Sequence, residues 1–208
     1  MGADLTSITK NICVYSSSSN FLDEIYYKVA AELGELMGKA GFNLVYGGGT
    51  LGTMGVNAKA VKESNGKVYG VLPQKLYEIG VGNADCDELH ITKCMRTRKE
   101  KLDTLADGVI AIAGGFGTLE ELSEMIVQKQ LGYNDKAIVI LNTNGFYDDL
   151  LKFFEKMIVQ NFANPDAKDL YYVANTPQEA IIYLKNYESK HFDVSKKLHL
   201  DEKIGTID

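Results

Sequence analysis

The chain has 208 residues, 45% of them hydrophobic and 24% charged, with a formal net charge of -6. That length suits one α/β domain with a buried core, and the negative balance argues against a general nucleic-acid surface. No apolar run approaches the ~20 residues of a membrane helix, and residues 1–11 lack the apolar core of a signal peptide. Cys13, Cys86 and Cys94 are an odd set without disulfide spacing, so reduced thiols and a cytoplasmic setting are expected.

Asn11 to Tyr15 reads as a buried strand, followed by four serines (16–19) that offer hydroxyls and a helix N-cap. Apolar residues then recur at helical spacing from Phe21 through Leu22, Ile25, Val29, Leu33 and Met37, and Gly41 ends that helix as its C′ residue. Asn43 to Tyr46 is the next strand and runs into a glycine loop, Gly47-Gly48-Gly49-Thr50-Leu51-Gly52-Thr53-Met54-Gly55. A helix from Gly55 to Glu63, a turn at Asn65-Gly66 and a strand from Lys67 to Leu72 follow, with Pro73 as the stop. Residues 74–92 are the least regular stretch and read as a long functional loop.

Cys94 to Ala106 reads as a helix and Asp107 to Ala113 as a strand, after which comes the second glycine loop, Gly114-Gly115-Phe116-Gly117-Thr118. Helix Leu119 to Leu131, strand Lys136 to Leu141, helix Tyr147 to Gln160 and strand Asp169 to Ala174 complete the alternation. Thr176-Pro177 opens a last helix to about Tyr187. Such alternation implies right-handed crossovers, a doubly wound parallel sheet covered on both faces and a ligand site at the carboxyl edge of the strands. The expected domain spans 1–187, and the charged tail 188–208 is expected to be disordered or to dock on a neighbour.

Both glycine loops leave a strand and enter a helix. Two in one short chain suggest a phosphorylated small molecule held between two helix N-termini, whose free N–H groups and dipoles attract anions. The second loop lacks the Lys-Ser/Thr ending of a Walker loop and the spacing of the dinucleotide fingerprint. Glu120 and Glu121 stand at the start of the helix after the second loop, where adjacent side chains diverge by about 100°, so one of them faces the ligand. Arg96, Arg98, Lys99 and Lys101 form the densest basic cluster, and an arginine there suits bidentate binding of phosphate or carboxylate. Cys86, His90 and Cys94 have ligand-like spacing but lack a fourth partner, so no metal is expected. With histidine scarce, acid–base work falls to carboxylates.

Tyr46-Gly47-Gly48-Gly49 with Leu51-Gly52-Thr53-Met54-Gly55, Met95-Arg96-Thr97-Arg98-Lys99, and Gly114-Gly115-Phe116-Gly117-Thr118-Leu119-Glu120-Glu121 together resemble the LOG ("Lonely guy") family. These are cytokinin riboside 5′-monophosphate phosphoribohydrolases, often mislabelled lysine decarboxylases. The resemblance runs from about Ile12 to Tyr187. It implies a Rossmann-like fold, a homodimer and hydrolysis of the N-glycosidic bond of a purine nucleoside 5′-monophosphate, a chemistry that requires no cofactor. It places catalysis on Arg98 and Glu121 and the phosphate on Gly114, Gly115, Gly117 and Thr118. Glu120, Lys99, Met95, Gly47, Gly48 and Gly49 are expected to bind substrate.

The chain departs from the family pattern at Ala113, usually proline, and at Arg96, often histidine. It also has no tryptophan before Gln130-Leu131-Gly132, which bears on the base pocket and its N6 preference. Two other readings stay open. A nucleotide or molybdenum-cofactor carrier of this fold would keep the glycine loops without needing Arg98 and Glu121 together. A pyridoxal-phosphate decarboxylase would need a Schiff-base lysine, which no motif marks.

Overall fold

The computed structural model describes residues 10–190 and 192. Seven strands form one sheet: β1 (Asn11–Tyr15), β2 (Asn43–Tyr46), β3 (Val68–Pro73), β4 (Glu88–Thr92), β5 (Gly108–Ala111), β6 (Ala137–Leu141) and β7 (Tyr172–Ala174). Their order is β4-β3-β2-β1-β5-β6-β7 and every pairing is parallel. Seven α-helices accompany them: α1 (Glu24–Lys39), α2 (Gly52–Glu63), α3 (Gln74–Glu78), α4 (Met95–Leu105), α5 (Phe116–Gln130), α6 (Asp148–Val159) and α7 (Pro177–Asn186). The doubly wound parallel sheet is therefore the one expected.

Residue alternation on β1 shows how the two layers are filled. Ile12 and Val14 point into a core with Leu33 and Met37 of α1, Val61 of α2 and Leu184 of α7. Cys13 and Tyr15 point the other way, against Leu102 of α4 and Leu122 and Met125 of α5. A strand buried on both faces loses its polar alternation, which is why β1, β2, β5 and β6 read as short apolar runs.

The chain winds outward from β1 to β4, then returns through α4 to place β5 beside β1. Connections on the two sides of that seam diverge and leave a crevice at the carboxyl edge. The loop after β1 holds the serines, and the loop after β5 holds the second glycine motif. Thr118 Oγ1 ties the two together by donating to the Ser16 carbonyl at 3.0 Å.

Several local expectations are corrected. The stretch 74–92 is no irregular loop: it contains α3 and the edge strand β4, which pairs with β3 from Glu88 to Thr92. Pro73 does not stop β3 but is its last residue. Helix α2 begins at Gly52 and α5 at Phe116, each three residues earlier than periodicity suggests. None of the four serines caps α1: Asp23 holds that position, while Ser17 and Ser19 close turns to the N–H groups of Ser19 and Phe21. Gly41 does follow α1 with φ +76°, and Thr176 does cap α7 by accepting from the Glu179 N–H. The tail expectation falls largely on residues outside those described.

Candidate functional site

A cavity of about 370 Å³ lies at the carboxyl edge. Its polar lining comes from Arg98 of α4 and Thr118, Glu120 and Glu121 of α5, beside Gly117. Its apolar lining includes Met54, Leu72, Leu76, Ile79 and Val81, with Gly47, Gly49 and Met95. The wall carrying Leu76, Ile79 and Val81 is pinned by backbone bonds: Thr50 N–H to the Val81 carbonyl at 3.2 Å, and Asn83 N–H to the Gly48 carbonyl at 2.8 Å.

The second glycine loop meets the cavity as an open helix end. Gly115 precedes α5, and Leu119 N–H to the Gly115 carbonyl, at 3.0 Å, closes the first turn. The N–H groups of Phe116, Gly117 and Thr118 come before that bond, and no side chain caps them. A β-carbon at Gly115 or Gly117 would meet nothing within 4 Å, so space lies in front of the turn. Gly114 has a different reason to be small: its β-carbon would sit 2.1 Å from Thr118 Oγ1. Free amides and the helix dipole together favour an anion here.

The first glycine loop presents a more occupied end than the expectation of two open ones, with two of the three leading N–H groups of α2 taken. At the start of α2 the Gly52 N–H donates to Asn20 Oδ1 at 2.9 Å and the Met54 N–H to the Ser17 carbonyl at 3.3 Å. Thr53 Oγ1 accepts from the Ser17 N–H at 3.0 Å. Gly52 permits this close docking: its φ is +60°, and a β-carbon would lie 2.4 Å from the Ser17 oxygen.

Arg98 and Glu121 meet on the cavity floor. Nη1 of Arg98 lies 2.5 Å from Glu121 Oε1, and both side chains are about nine-tenths buried. Arg98 Nε donates to the Val71 carbonyl at 3.2 Å, so the guanidinium is held from two directions. Burial pushes the Glu121 carboxyl above its ordinary value, and the charge and hydrogen bond of Arg98 offset part of that rise. The pair is thus a carboxylate of raised basicity beside a fixed cation. Burial first, and then the Glu121 charge, also push the Cys13 thiol far up, so that thiol is inert beneath the site.

The remaining candidate residues divide. Glu120 lines the cavity but is half-exposed and paired with Lys99. Lys99 also bonds Glu124 at 3.1 Å and is absent from the cavity lining, as are Gly48, Gly114 and Gly115. Gly48 instead packs against Val71, Leu72 and Leu89. Both glutamates stand in the second turn of α5, since the helix begins at Phe116. Ser16 and Ser18, not assigned to the site from sequence, line the cavity. Ser16 Oγ is buried with no hydrogen-bond partner among the described residues. The signal for them was present: a polar run directly after a central strand.

Cys86, His90 and Cys94 do not converge. Cys86 lies 3.6 Å from the Tyr46 hydroxyl, His90 3.4 Å from Glu88, and Cys94 takes part in the cap of α4. Among the described residues no group of three or more His, Cys, Asp or Glu is placed to hold a metal ion.

A family model described as "possible lysine decarboxylase" matches residues 54–184. Cytokinin riboside 5′-monophosphate phosphoribohydrolase LOG1 of Arabidopsis thaliana is 36% identical over 203 residues, covering 97% of this chain and 95% of that protein. LOG of Oryza sativa subsp. japonica, also named a cytokinin riboside 5′-monophosphate phosphoribohydrolase, is 37% identical over 178 residues, covering 86% and 74%. The chain belongs to the LOG family.

Its LOG-family fold is shared with the molybdenum cofactor carrier protein of Chlamydomonas reinhardtii, at TM-score 0.67 and 25% identity over 85% of this chain and 96% of that one. A molybdenum cofactor binding protein from Rippkaea orientalis matches at TM-score 0.66 and 24% identity, covering 86% and 98%. Among the described residues of this LOG-family chain, the lysine with the lowered pKa does not support the decarboxylase description. Burial lowers Lys129 to about 8, as a Schiff-base lysine would require, yet Lys129 bonds the Lys136 carbonyl and the Tyr187 hydroxyl, each at 2.8 Å. It stands at the far end of α5, roughly 18 Å along the helix from Gly117 at 1.5 Å per residue. Among the described residues no helix is long and apolar enough to cross a membrane.

Proposed function

We propose that the protein hydrolyses the N-glycosidic bond of adenosine 5′-monophosphate and its N6-substituted forms. The products are the free base and ribose 5-phosphate. The observation that carries this reading is the Arg98–Glu121 pair on the floor of a cavity whose rim is the open N-terminus of α5. The 5′-phosphate seats on the turn from Gly114 to Thr118. That anchor brings the ribose to Glu121, one helical turn further along.

Cleavage of such a bond passes through an oxocarbenium-like state. The C1′–N9 bond breaks with its electron pair going to the base, the water oxygen bonds to C1′, and one water proton ends on the base. Glu121 provides negative charge where the sugar becomes positive and accepts a hydrogen bond from the attacking water. Arg98 balances charge on the departing base and grips substrate. Gly47, Gly49 and Met95 bound the site, and Glu120 and Lys99 form its charged edge. The apolar wall of Leu72, Leu76, Ile79 and Val81 takes the base.

The test is incubation with AMP, dAMP, CMP, GMP and isopentenyl-AMP. Free base is expected from the adenine nucleotides, and adenosine lacking the phosphate is expected to be a poor substrate. Release of no base from any of them would overturn the reading. The carrier alternative draws support from the Chlamydomonas neighbour. Tight binding of molybdenum cofactor with no base release would favour it.

Two further parts of the proposal concern setting. Ile126 and Val127 of α5, with Phe154, Met157 and Phe162, leave an apolar groove that suits a second copy of the chain. A homodimer is expected by light scattering at micromolar concentration, and a monomer would count against it. The three free cysteines suit the cytoplasm.

A further inference from the structure

We infer that Gly47 is a positioning residue for Arg98: its missing β-carbon leaves the space in which the guanidinium lies against Glu121. A β-carbon built at Gly47 would stand 2.6 Å from Arg98 Nη2, where ordinary contact begins at 3.4 Å. It would stand 3.1 Å from Met54 Sδ and 3.7 Å from Arg98 Cζ. Gly47 is not among the glycines with positive φ, so the constraint is space and not backbone conformation. It differs in this from its neighbour Gly48, whose φ is +75°.

The position follows from the fold. Gly47 is the first residue after β2, and the Val71 carbonyl that holds Arg98 Nε belongs to β3, the next strand. Arg98 crosses the ends of both strands to reach α5. Two contacts pull it there, at Nε and at Nη1, and the bare Gly47 backbone forms the bed beneath Nη2. The clashing atom in a Gly47→Ala chain is the far end of a flexible side chain. The fold therefore survives and the guanidinium moves. A displacement near 1 Å at a catalytic group costs about 100-fold in rate.

This inference rests on the proposed activity only for its rate measurement. The sequence holds two arginines, Arg96 and Arg98, of which Arg96 is exposed. Chain labelled with ¹⁵N-arginine thus gives two Nε–Hε signals. In the wild type the Arg98 signal is expected to be slow to exchange with solvent, because its hydrogen bond to Val71 is sheltered. In Gly47→Ala that signal is expected to shift and its exchange to quicken at least ~10-fold, with turnover of AMP falling ~100-fold. The pH profile adds a readout that a general loss of packing does not move. The charges bearing on Glu121 are Arg98 and Lys99 of α4, which lower it, and Glu120 of its own helix, which raises it. Drawing Arg98 away lifts the acid limb of kcat/KM to higher pH.

An unchanged Arg98 signal in a folded Gly47→Ala chain overturns the inference, whatever the activity. If the wild type releases no base from AMP, the proposed function fails while the exchange measurement still decides the role of Gly47. If Gly47→Ala does not fold, the triple variant Gly47→Ala/Arg98→Ala/Glu121→Gln decides, since it leaves no carboxylate stranded without its arginine. Recovery of folding supports a clash with Arg98, and continued failure refutes it.

Discussion

Removing Arg98 strands a carboxylate. In Arg98→Ala, Glu121 keeps its burial but loses the charge at 2.5 Å and the hydrogen bond that oppose its upward shift. Breaking a fully buried ion pair from one side costs about 3–5 kcal/mol. Here the pair borders an open cavity, so water reaches the freed carboxylate and about 2 kcal/mol is the better figure. For a chain of this size each kcal/mol moves Tm by about 2–4 °C, giving a drop of about 4–8 °C at pH 7. The sign with pH is fixed by linkage. A carboxyl whose folded value lies above its unfolded value binds the extra proton in the folded state, so its stability contribution falls as pH rises through the folded value. The Tm gap between wild type and Arg98→Ala is therefore expected to be smallest below the ordinary carboxylate range and to widen towards neutrality. Differential scanning fluorimetry between pH 4 and 8 measures it. The double variant Arg98→Ala/Glu121→Gln is expected to regain most of the loss at pH 7. A gap independent of pH, or a double variant no better than the single one, refutes the reasoning.

Three other predictions concern neighbouring groups. Glu121→Gln keeps shape and is expected to cut AMP turnover ~100-fold with binding intact, whereas Glu120→Gln is milder; the reverse order in a steady-state assay would reassign the base. Thr118→Val removes the hydroxyl that donates to the Ser16 carbonyl, and is expected to cost ~1 kcal/mol by denaturant melt and to raise KM for AMP more than it lowers kcat. Lys129→Met removes a buried cation but also the donor to the Lys136 carbonyl and the Tyr187 hydroxyl, so the two effects oppose and stability at pH 7 is expected to change by no more than ~1 kcal/mol. Wild-type stability rises from the folded value of about 8 towards the ordinary lysine value of 10.5, as the folded state sheds its proton first, so the methionine variant is expected to lose ground to the wild type by pH 10 in the same melt.

What the sequence discloses depends on how local the determining interactions are. Strands β1, β2, β5 and β6 are buried on both faces and announce themselves as apolar runs. β4 does not, because an edge strand with exposed Glu88 and Ile91 has one neighbour and half a reason to be apolar. The early start of α5 was hidden because its cap is a glycine and its first residue, Phe116, is 91% exposed, so neither capping nor periodicity marks it. Arg98 and Glu121 are recognisable from their motifs, but their contact joins two helices across 23 residues of chain. The sealing of α2 by Ser17 and Asn20 spans more than 30 residues, beyond any window that reads glycines and helix starts.

That sealing gives the cleft a polarity. With two of the three leading N–H groups of α2 taken by an asparagine and a carbonyl, the α5 end of the cavity attracts negative charge and the apolar lining from Leu72 to Val81 does not. A molecule charged at one end and flat and apolar at the other has a single way to lie there. A molecule with anionic groups at both ends must leave one of them against hydrocarbon, where desolvation is uncompensated. The same fold with an unsealed α2 would read a ligand in either direction; closing one helix end turns a symmetric crevice into a directional one.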